Sequence, residues 1–328
     1  MLAWLTLFFI ISAAGTWLAR RYAVQRRLLD QPGERRSHTV ATPRGGGISI
    51  VLALLVATVA LALRYPVHLP LLAAFGIGLV IVAAVGWIDD HRPLSPWWRL
   101  AAHAVAGAVF GAAVLNVYGS LWLAVGAFSV ILVLTNVWNF MDGIDGLAAT
   151  QAVIVTSGLA WVMAGPAAAL AWALVAACAG FLPFNFPRAR IFLGDVGSGS
   201  LGYAIAGLLV IASARLDVSA LLIFLPLAPF LVDAGLTLLR RMARRERWWT
   251  AHTQHAYQVW ARRRHWPVTL SYGFASMLGL LGMLLAWNRN GIFIVCSVIA
   301  WYMSGAFLWL WLQRRRLIGS DRVEGCRG

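Results

Sequence analysis

The chain has 328 residues, of which 61% are hydrophobic and 12% are charged, and its formal net charge is +15. A soluble domain cannot bury so much apolar surface, so the composition predicts an all-α polytopic membrane protein. Every positively charged residue is an arginine. A positive net charge is ordinary for membrane proteins, because their loops lie beside anionic lipid. We therefore do not expect nucleic acid as a partner.

Eleven apolar runs approach the length of about 20 residues that a membrane-spanning helix needs. They lie near residues 1–19, 47–63, 71–88, 100–117, 121–138, 147–164, 167–184, 201–214, 219–239, 269–287 and 291–312. The first run has no positive segment before it, so it is interpreted as a helix rather than a cleaved signal peptide. No linker or repeat divides the chain, so residues 1–328 are predicted to form a single membrane domain.

The distribution of arginines predicts the orientation of these helices. With Met1 outside, 24 of the 27 arginines fall on the cytoplasmic side, in agreement with the positive-inside rule. The opposite turns are only a few residues long, so any chemistry should be built on the cytoplasmic face. The inner loops are then 20–46, 89–99, 139–146, 185–200 and 240–268, followed by a cytoplasmic C-terminus.

The third run ends in two adjacent acids, Asp89 and Asp90. Mutual repulsion and the negative end of the helix dipole both disfavour such a pair, so a cation should compensate it. One interpretation is a solvated helix end facing Arg92 and Arg99. The other is a functional pair of carboxylates.

The next inner loop, 139–146, is rich in oxygen ligands. Asn139, Asp142 and Asp145 lie among glycines, and carboxylate and amide oxygens are the ligands that Mg²⁺ prefers. The segment lacks the closing Glu of a calcium loop. A tight turn between helices would also use Asn, Asp and Gly, although it would not require both acids.

The loop 185–200 ends in Gly194-Asp195-Val196-Gly197-Ser198-Gly199 and leads into a helix. Free backbone N–H groups at such a position suit a phosphate, and Arg188 and Arg190 can supply charge-assisted bonds. Alternatively, the glycines only allow the helix to begin close to its neighbours.

The loop 240–268 contains His252 and His255, which would share a face of a helical turn. Two histidines do not complete a zinc site, so binding of a sugar or diphosphate is favoured. Arg44 lies in a glycine turn below the second helix and adds a cation. Asp233 is an acid inside an apolar run, where such residues usually face a cavity or a partner.

Together, at least five carboxylates open onto one membrane face beside arginines and glycine turns, namely Asp89, Asp90, Asp142, Asp145 and Asp195. Acids that bind Mg²⁺ and cations that hold phosphate indicate a site for a nucleotide diphosphate. The membrane setting suggests a lipid as the second substrate.

These four loops, in this order, resemble those of the polyprenyl-phosphate N-acetylhexosamine-1-phosphate transferases, over nearly the whole chain. The resemblance is closest to the enzymes that start O-antigen chains. The muramyl-pentapeptide branch is the alternative, but it carries a His-His-His motif and a lysine where this chain has His252-Thr253-Gln254-His255 and Arg44. A transporter or lipid flippase would also explain the number of spans. It would not explain why the polar groups collect on one face.

The resemblance implies an enzyme of the bacterial inner membrane with its active site on the cytoplasmic side. It would transfer a sugar 1-phosphate from a UDP-N-acetylhexosamine to undecaprenyl phosphate and release UMP, with Mg²⁺ or Mn²⁺ as cofactor. Direct displacement is favoured over a covalent phospho-aspartate on Asp89 or Asp142, because it needs no second site from which water is excluded. The sugar, GlcNAc or a 6-deoxy N-acetyl sugar, and the oligomeric state, monomer or homodimer, stay open.

The resemblance also implies roles for individual residues. Asp195 would be the principal metal ligand, with Asn139 and Asp90, and Asp89 would orient or deprotonate the lipid phosphate. Four residues would shape the uridine pocket: Asp142, Asp145, Asn185 and Phe192. The remaining candidates would bind the sugar and the phosphates: His252, His255, Arg44, Arg99 and Arg190.

Overall fold

The computed structural model describes residues 1–31, 41–247, 249–250, 252–261 and 265–324, so parts of the predicted loops 20–46 and 240–268 lie outside the described residues. The described residues form twelve α-helices and one short antiparallel ladder, β1 (Leu29–Asp30) with β2 (Thr42–Pro43). The helices are α1 (Leu2–Gln25), α2 (Ile48–Arg64), α3 (Leu69–His91), α4 (Pro96–Tyr118), α5 (Leu121–Phe140), α6 (Leu147–Val162), α7 (Gly165–Asn185), α8 (Asp195–Ser213), α9 (Ala228–Ala243), α10 (Ala256–Ala261), α11 (His265–Ala286) and α12 (Gly291–Glu324).

The predicted all-α polytopic class is confirmed. Among the described residues, eight helical segments are long and apolar enough to cross a membrane, and α2 and α6 are apolar but shorter. The orientation deduced from the arginines stays a prediction.

The prediction of one continuous helix over residues 219–239 is wrong. This part of the chain forms a 3-10 segment, Val218–Phe224, followed by the separate helix α9. Pro226 and Pro229 lie at the break, and proline cannot donate a helical hydrogen bond.

The backbone carbonyls at this break are satisfied by side chains from other helices. Gln151 donates to the carbonyl of Pro226 (2.8 Å), Trp301 to that of Leu225 (3.0 Å), and the Tyr302 hydroxyl to that of Phe224 (2.9 Å). A broken helix can exist at membrane depth because neighbouring protein groups replace its missing hydrogen bonds.

Helix α8 lies at the centre of the bundle, and every residue from Val196 to Ala212 is buried. It packs against α3 and α5 at close range through glycines. A Cβ on Gly202 would lie 2.4 Å from the Leu134 carbonyl oxygen, and one on Gly86 would lie 2.5 Å from that of Asp195. This small-residue packing brings the C-terminal ends of α3 and α5 to the N-terminus of α8.

Candidate active site

Asp90, at the C-terminal end of α3, binds the first turn of α8. Its two carboxylate oxygens accept hydrogen bonds from the backbone N–H groups of Asp195 (3.0 Å) and Val196 (3.1 Å), and the side chain is 2% exposed. The Arg44 guanidinium lies 3.8 Å from one oxygen and donates to the Asp90 carbonyl. The positive end of the α8 dipole therefore compensates this buried acid, so Asp90 caps a helix.

Asp89 points toward a different partner. Its carboxylate pairs with Arg99 at 3.0 Å, and the same guanidinium nitrogen lies 3.8 Å from a carboxylate oxygen of Asp195. Asp89 is 7% exposed, so the interpretation as a solvated helix end does not describe it. Arg99 is thus the cation that holds the carboxylates of Asp89 and Asp195 close to each other.

Asn139, in the last turn of α5, completes the cluster. Its side-chain amide donates to a carboxylate oxygen of Asp195 and to the Ser198 hydroxyl (3.1 Å). Four residues that are far apart in sequence thus meet at one place. We call Asp89, Arg99, Asn139 and Asp195 the carboxylate cluster.

A cleft adjoins the carboxylate cluster. Arg99, Asn139 and Asp195 line it together with Trp97 and Trp249, whose rings lie 5.9 Å apart. Nothing in the sequence marks either tryptophan as a site residue, because aromatic side chains beside a membrane usually rest at the interface. Only the fold shows that the segment after α9 reaches the cleft.

The donor set of the cluster fits Mg²⁺. Mg²⁺ is usually held by one or two carboxylates together with water and substrate phosphates, and Asp89 and Asp195 supply two carboxylates beside the Asn139 amide. Within the described ranges, no group of three His, Cys, Asp or Glu residues forms a complete protein cage. Arg99 joins Asp89 to Asp195, whereas both Asp90 oxygens accept backbone hydrogen bonds from α8, so Asp89 fits the role of second carboxylate better than Asp90 does. One Asp89 oxygen also accepts from the Leu94 N–H.

Asp142 lies in the turn after α5, and its side chain is half-buried. Burial, and then the negative charges of Asp195, Asp90 and Asp145, raise the pKa of the Asp142 carboxyl well above its ordinary value. Asp142 thus belongs to the same acidic region as the carboxylate cluster.

Asp145 and Asn185 join the acidic turn to the segment after α7. A carboxylate oxygen of Asp145 accepts from the Ala189 N–H (3.1 Å). The Asn185 side chain accepts from the Gly146 N–H (2.9 Å) and donates to the Ile191 carbonyl (3.0 Å). These contacts hold the acidic turn against the segment after α7, and the uridine pocket stays a prediction.

The glycine-rich loops serve close packing. Gly194 has a positive φ of 76°, and a Cβ there would lie 2.6 Å from an Asp90 carboxylate oxygen. A Cβ on Gly47 would lie 2.2 Å from the Cα of Gly197. Phe192, which is half-buried, donates through its N–H to the Pro43 carbonyl (2.7 Å). Glycine is therefore needed where these loops approach each other and the end of α3. This agrees with the alternative interpretation, in which the glycines let helix α8 begin close to its neighbours.

Arg190 does not reach the carboxylate cluster. Its guanidinium donates to the Pro183 carbonyl at the end of α7 and lies 5.0 Å from the centre of the Phe184 ring. Of the three predicted cations, the fold brings Arg44 and Arg99 to the acids and directs Arg190 elsewhere.

The two histidines lie beside the cleft wall. The buried His255 ring stacks on Phe140, which lines the cleft, at 6.1 Å between ring centres. The His252 ring lies 4.8 Å from that of His255. Burial, followed by the charges of His255 and Arg241, lowers the pKa of His252 to about 4. His252 is therefore neutral at physiological pH.

Asp233 is a residue whose role the sequence did not reveal. It is 2% exposed and binds the backbone at the start of α10, directly after His255. In the sequence, Asp233 is an acid inside an apolar run. Such a position indicates that the carboxylate has a binding partner but does not identify the partner.

The chain is similar in sequence to known proteins. Residues 72–213, which contain every carboxylate of the cluster, match the model of glycosyl transferase family 4. The decaprenyl-phosphate N-acetylglucosaminephosphotransferase of Mycobacterium tuberculosis is 31% identical, over 73% of this chain and 69% of its own length.

Two further relatives bear different names. The undecaprenyl-phosphate alpha-N-acetylglucosaminyl 1-phosphate transferase of Thermotoga maritima is 29% identical, over 84% of this chain and 87% of its own. A phospho-N-acetylmuramoyl-pentapeptide-transferase of Moorella thermoacetica is 33% identical, over 55% of this chain and 65% of its own.

Proposed function

Since the chain belongs to glycosyl transferase family 4 and is a phosphoglycosyltransferase, we propose that it transfers N-acetylhexosamine 1-phosphate from a UDP-sugar to undecaprenyl phosphate. UMP is the second product. The observation that carries the proposal is the meeting of Asp89, Arg99, Asn139 and Asp195 at the ends of apolar helices, beside a cleft that the last three of them line. An enzyme that transfers a sugar phosphate from a water-soluble nucleotide to a membrane lipid needs a site at the membrane surface, where helices end.

In this proposal, Asp195 and Asp89 would hold Mg²⁺ (or Mn²⁺), with Asn139 beside them. A metal bound there would supply positive charge to offset that of the diphosphate and of the departing UMP. Asn139 contacts both Asp195 and Ser198 and therefore fixes the Asp195 carboxylate toward the cleft. Arg99 keeps the two carboxylates together and supplies positive charge beside the phosphates.

The reaction is a single displacement. An oxygen of the lipid phosphate attacks the sugar-bearing phosphorus, a new P–O bond forms, and the P–O bond to UMP breaks. Asp89 orients the lipid phosphate or accepts its remaining proton. Because a phosphate monoester has a second pKa of about 6, a strong base is unnecessary. Asp142, whose raised pKa favours the neutral carboxyl, does not serve as a nucleophile in this scheme.

The remaining residues bind the donor. The uridine pocket lies against the turn that Asp142, Asp145 and Asn185 build, with Phe192 beside it. His252 and His255 contact the sugar and diphosphate from the cleft wall, and Arg44 adds positive charge next to Asp90. A neutral His252 can both donate and accept hydrogen bonds, which suits sugar hydroxyl groups.

For the donor we favour UDP-GlcNAc or a 6-deoxy N-acetyl sugar, and for the pathway the start of O-antigen or a related envelope glycan. Relatives named for N-acetylglucosamine transfer support this choice. A relative of the muramoyl-pentapeptide class makes that donor the specific alternative. We place the reaction on the cytoplasmic face of the bacterial inner membrane, since the arginine-rich loops lie on the same side as the carboxylate cluster.

The test is a transfer assay with purified protein in detergent. Radiolabelled UDP-GlcNAc and undecaprenyl phosphate should give a lipid-soluble label and an equal amount of UMP in the presence of Mg²⁺. Parallel reactions with 6-deoxy N-acetyl donors and with UDP-muramoyl-pentapeptide identify the branch. If folded protein transfers no label from any of these donors, the proposal is refuted.

A further inference from the structure

Asp233 is a buried acid that accepts five hydrogen bonds. It lies in α9, and its carboxylate accepts from donors on α9, α10, α11 and α12. The donors are the Ala256 N–H (2.8 Å), the Tyr257 N–H (3.0 Å), the Tyr272 hydroxyl (2.7 Å), the Trp309 indole (3.1 Å) and the Thr237 hydroxyl (3.2 Å). A buried carboxylate with this many donors stays in place and is oriented by them.

Two of the five donors are backbone groups of the segment that carries the histidines. The N–H groups of Ala256 and Tyr257 follow His255 directly, and the His255 ring nitrogen Nδ1 lies 3.8 Å from the Asp233 carboxylate. Without an acceptor, these N–H groups would be buried and unsatisfied. Asp233 therefore determines where the chain turns after His255.

The same segment is joined to the acidic turn of the site. The Tyr257 hydroxyl donates to the Phe140 carbonyl (2.9 Å), next to Asn139 of the carboxylate cluster. It also packs against Gly143, where an added Cβ would lie 2.2 Å from that hydroxyl. A continuous set of contacts thus runs from Asp233 through Tyr257 to the carboxylate cluster.

We propose that Asp233 is a positioning residue, which holds the segment 252–257 so that His252 and His255 face the sugar and diphosphate of the donor. The inference rests on the proposed function. It assigns Asp233 to donor affinity rather than to the displacement step, because its carboxylate has no contact with the carboxylate cluster among the described residues.

The test variant is Asp233→Asn, which keeps the shape of the side chain but places an N–H₂ group against a donor. We expect amide hydrogen exchange of residues 255–261 to become at least about tenfold faster. We expect the KM for UDP-GlcNAc to rise about tenfold, with kcat changed by less than about threefold. Two controls, Thr237→Val and Tyr272→Phe, remove side-chain donors but leave both backbone hydrogen bonds, so exchange and KM should stay near wild-type values.

Other results would overturn the inference. If Asp233→Asn leaves KM unchanged and lowers only the folded fraction, Asp233 is merely a packing residue. If Tyr272→Phe raises KM as much as Asp233→Asn does, contacts between helices matter rather than the histidine segment. Should Asp233→Asn fail to accumulate, Asp233→Glu keeps the charge but shifts its oxygens by one methylene, and it should raise KM by a smaller factor.

The exchange measurement needs no substrate, so it separates this inference from the proposed function. Absence of transfer by the wild-type protein would refute the function, and exchange would still show whether Asp233 orders the segment. Normal transfer with unchanged KM and unchanged exchange in Asp233→Asn would refute the inference alone.

Discussion

The two adjacent acids at the end of α3 should respond differently to the same substitution. Asp90→Asn replaces one oxygen with an N–H₂ group, which then faces a backbone N–H of Asp195 or Val196. We expect this change mainly to destabilise the protein, because the first turn of α8 loses an acceptor. Asp89→Asn is the matched control, since the amide oxygen can still accept from the Leu94 N–H and only the pair with the Arg99 side chain is lost.

The magnitude follows from the contacts of Asp90. A hydrogen bond to a charged group contributes about 1.5–3 kcal/mol, and a carboxylate at a helix N-terminus adds about 0.3–1 kcal/mol. The Arg44 guanidinium is 26% exposed and 3.8 Å away, so that pair contributes less than about 1 kcal/mol. We expect Asp90→Asn to lower the free energy of unfolding by about 2–4 kcal/mol.

The assay is denaturant unfolding of purified protein in detergent, combined with turnover per folded molecule. Asp89→Asn should change the free energy of unfolding by less than about 1 kcal/mol and reduce turnover by at least about 100-fold. The reasoning fails if Asp90→Asn leaves the free energy of unfolding within about 0.5 kcal/mol of wild type while turnover is lost. Asp90 would then act in the chemistry rather than as a helix cap.

Asp195→Asn should reduce kcat by at least about 100-fold while the protein stays folded in the membrane, and near-normal turnover with Mg²⁺ would reject its assignment as a metal ligand. EDTA should stop transfer and Mg²⁺ or Mn²⁺ should restore it, whereas activity that persists in EDTA argues against a metal. The pKa of His252 is about 4 in the folded protein against an ordinary value of 6.5, so the unfolded chain binds the proton more readily between these values. Stability present above pH 6.5 should therefore fall as pH decreases toward 4, and thermal midpoints of His252→Gln should show a smaller fall. Gly143→Ala would place a Cβ 2.2 Å from the Tyr257 hydroxyl and should raise the KM for the donor; Gly126→Ala, with nothing within 4 Å, should not.

The membrane class and the order of the helices were predictable from the sequence, because hydropathy is a local property of the chain. The same holds for three candidate site residues, Asp89, Asn139 and Asp195, which are two acids and an amide at the ends of apolar runs. The fold places these three residues next to one another and next to the cation Arg99.

The partner of each side chain, in contrast, depended on the tertiary structure. Nothing local distinguishes Asp89 from Asp90, yet one pairs with Arg99 and the other caps α8. Arg190 is turned to the end of α7, and Asp233 finds the backbone after His255. Such choices are made by contacts between residues up to about a hundred positions apart, because a buried charge must find donors wherever packing places them.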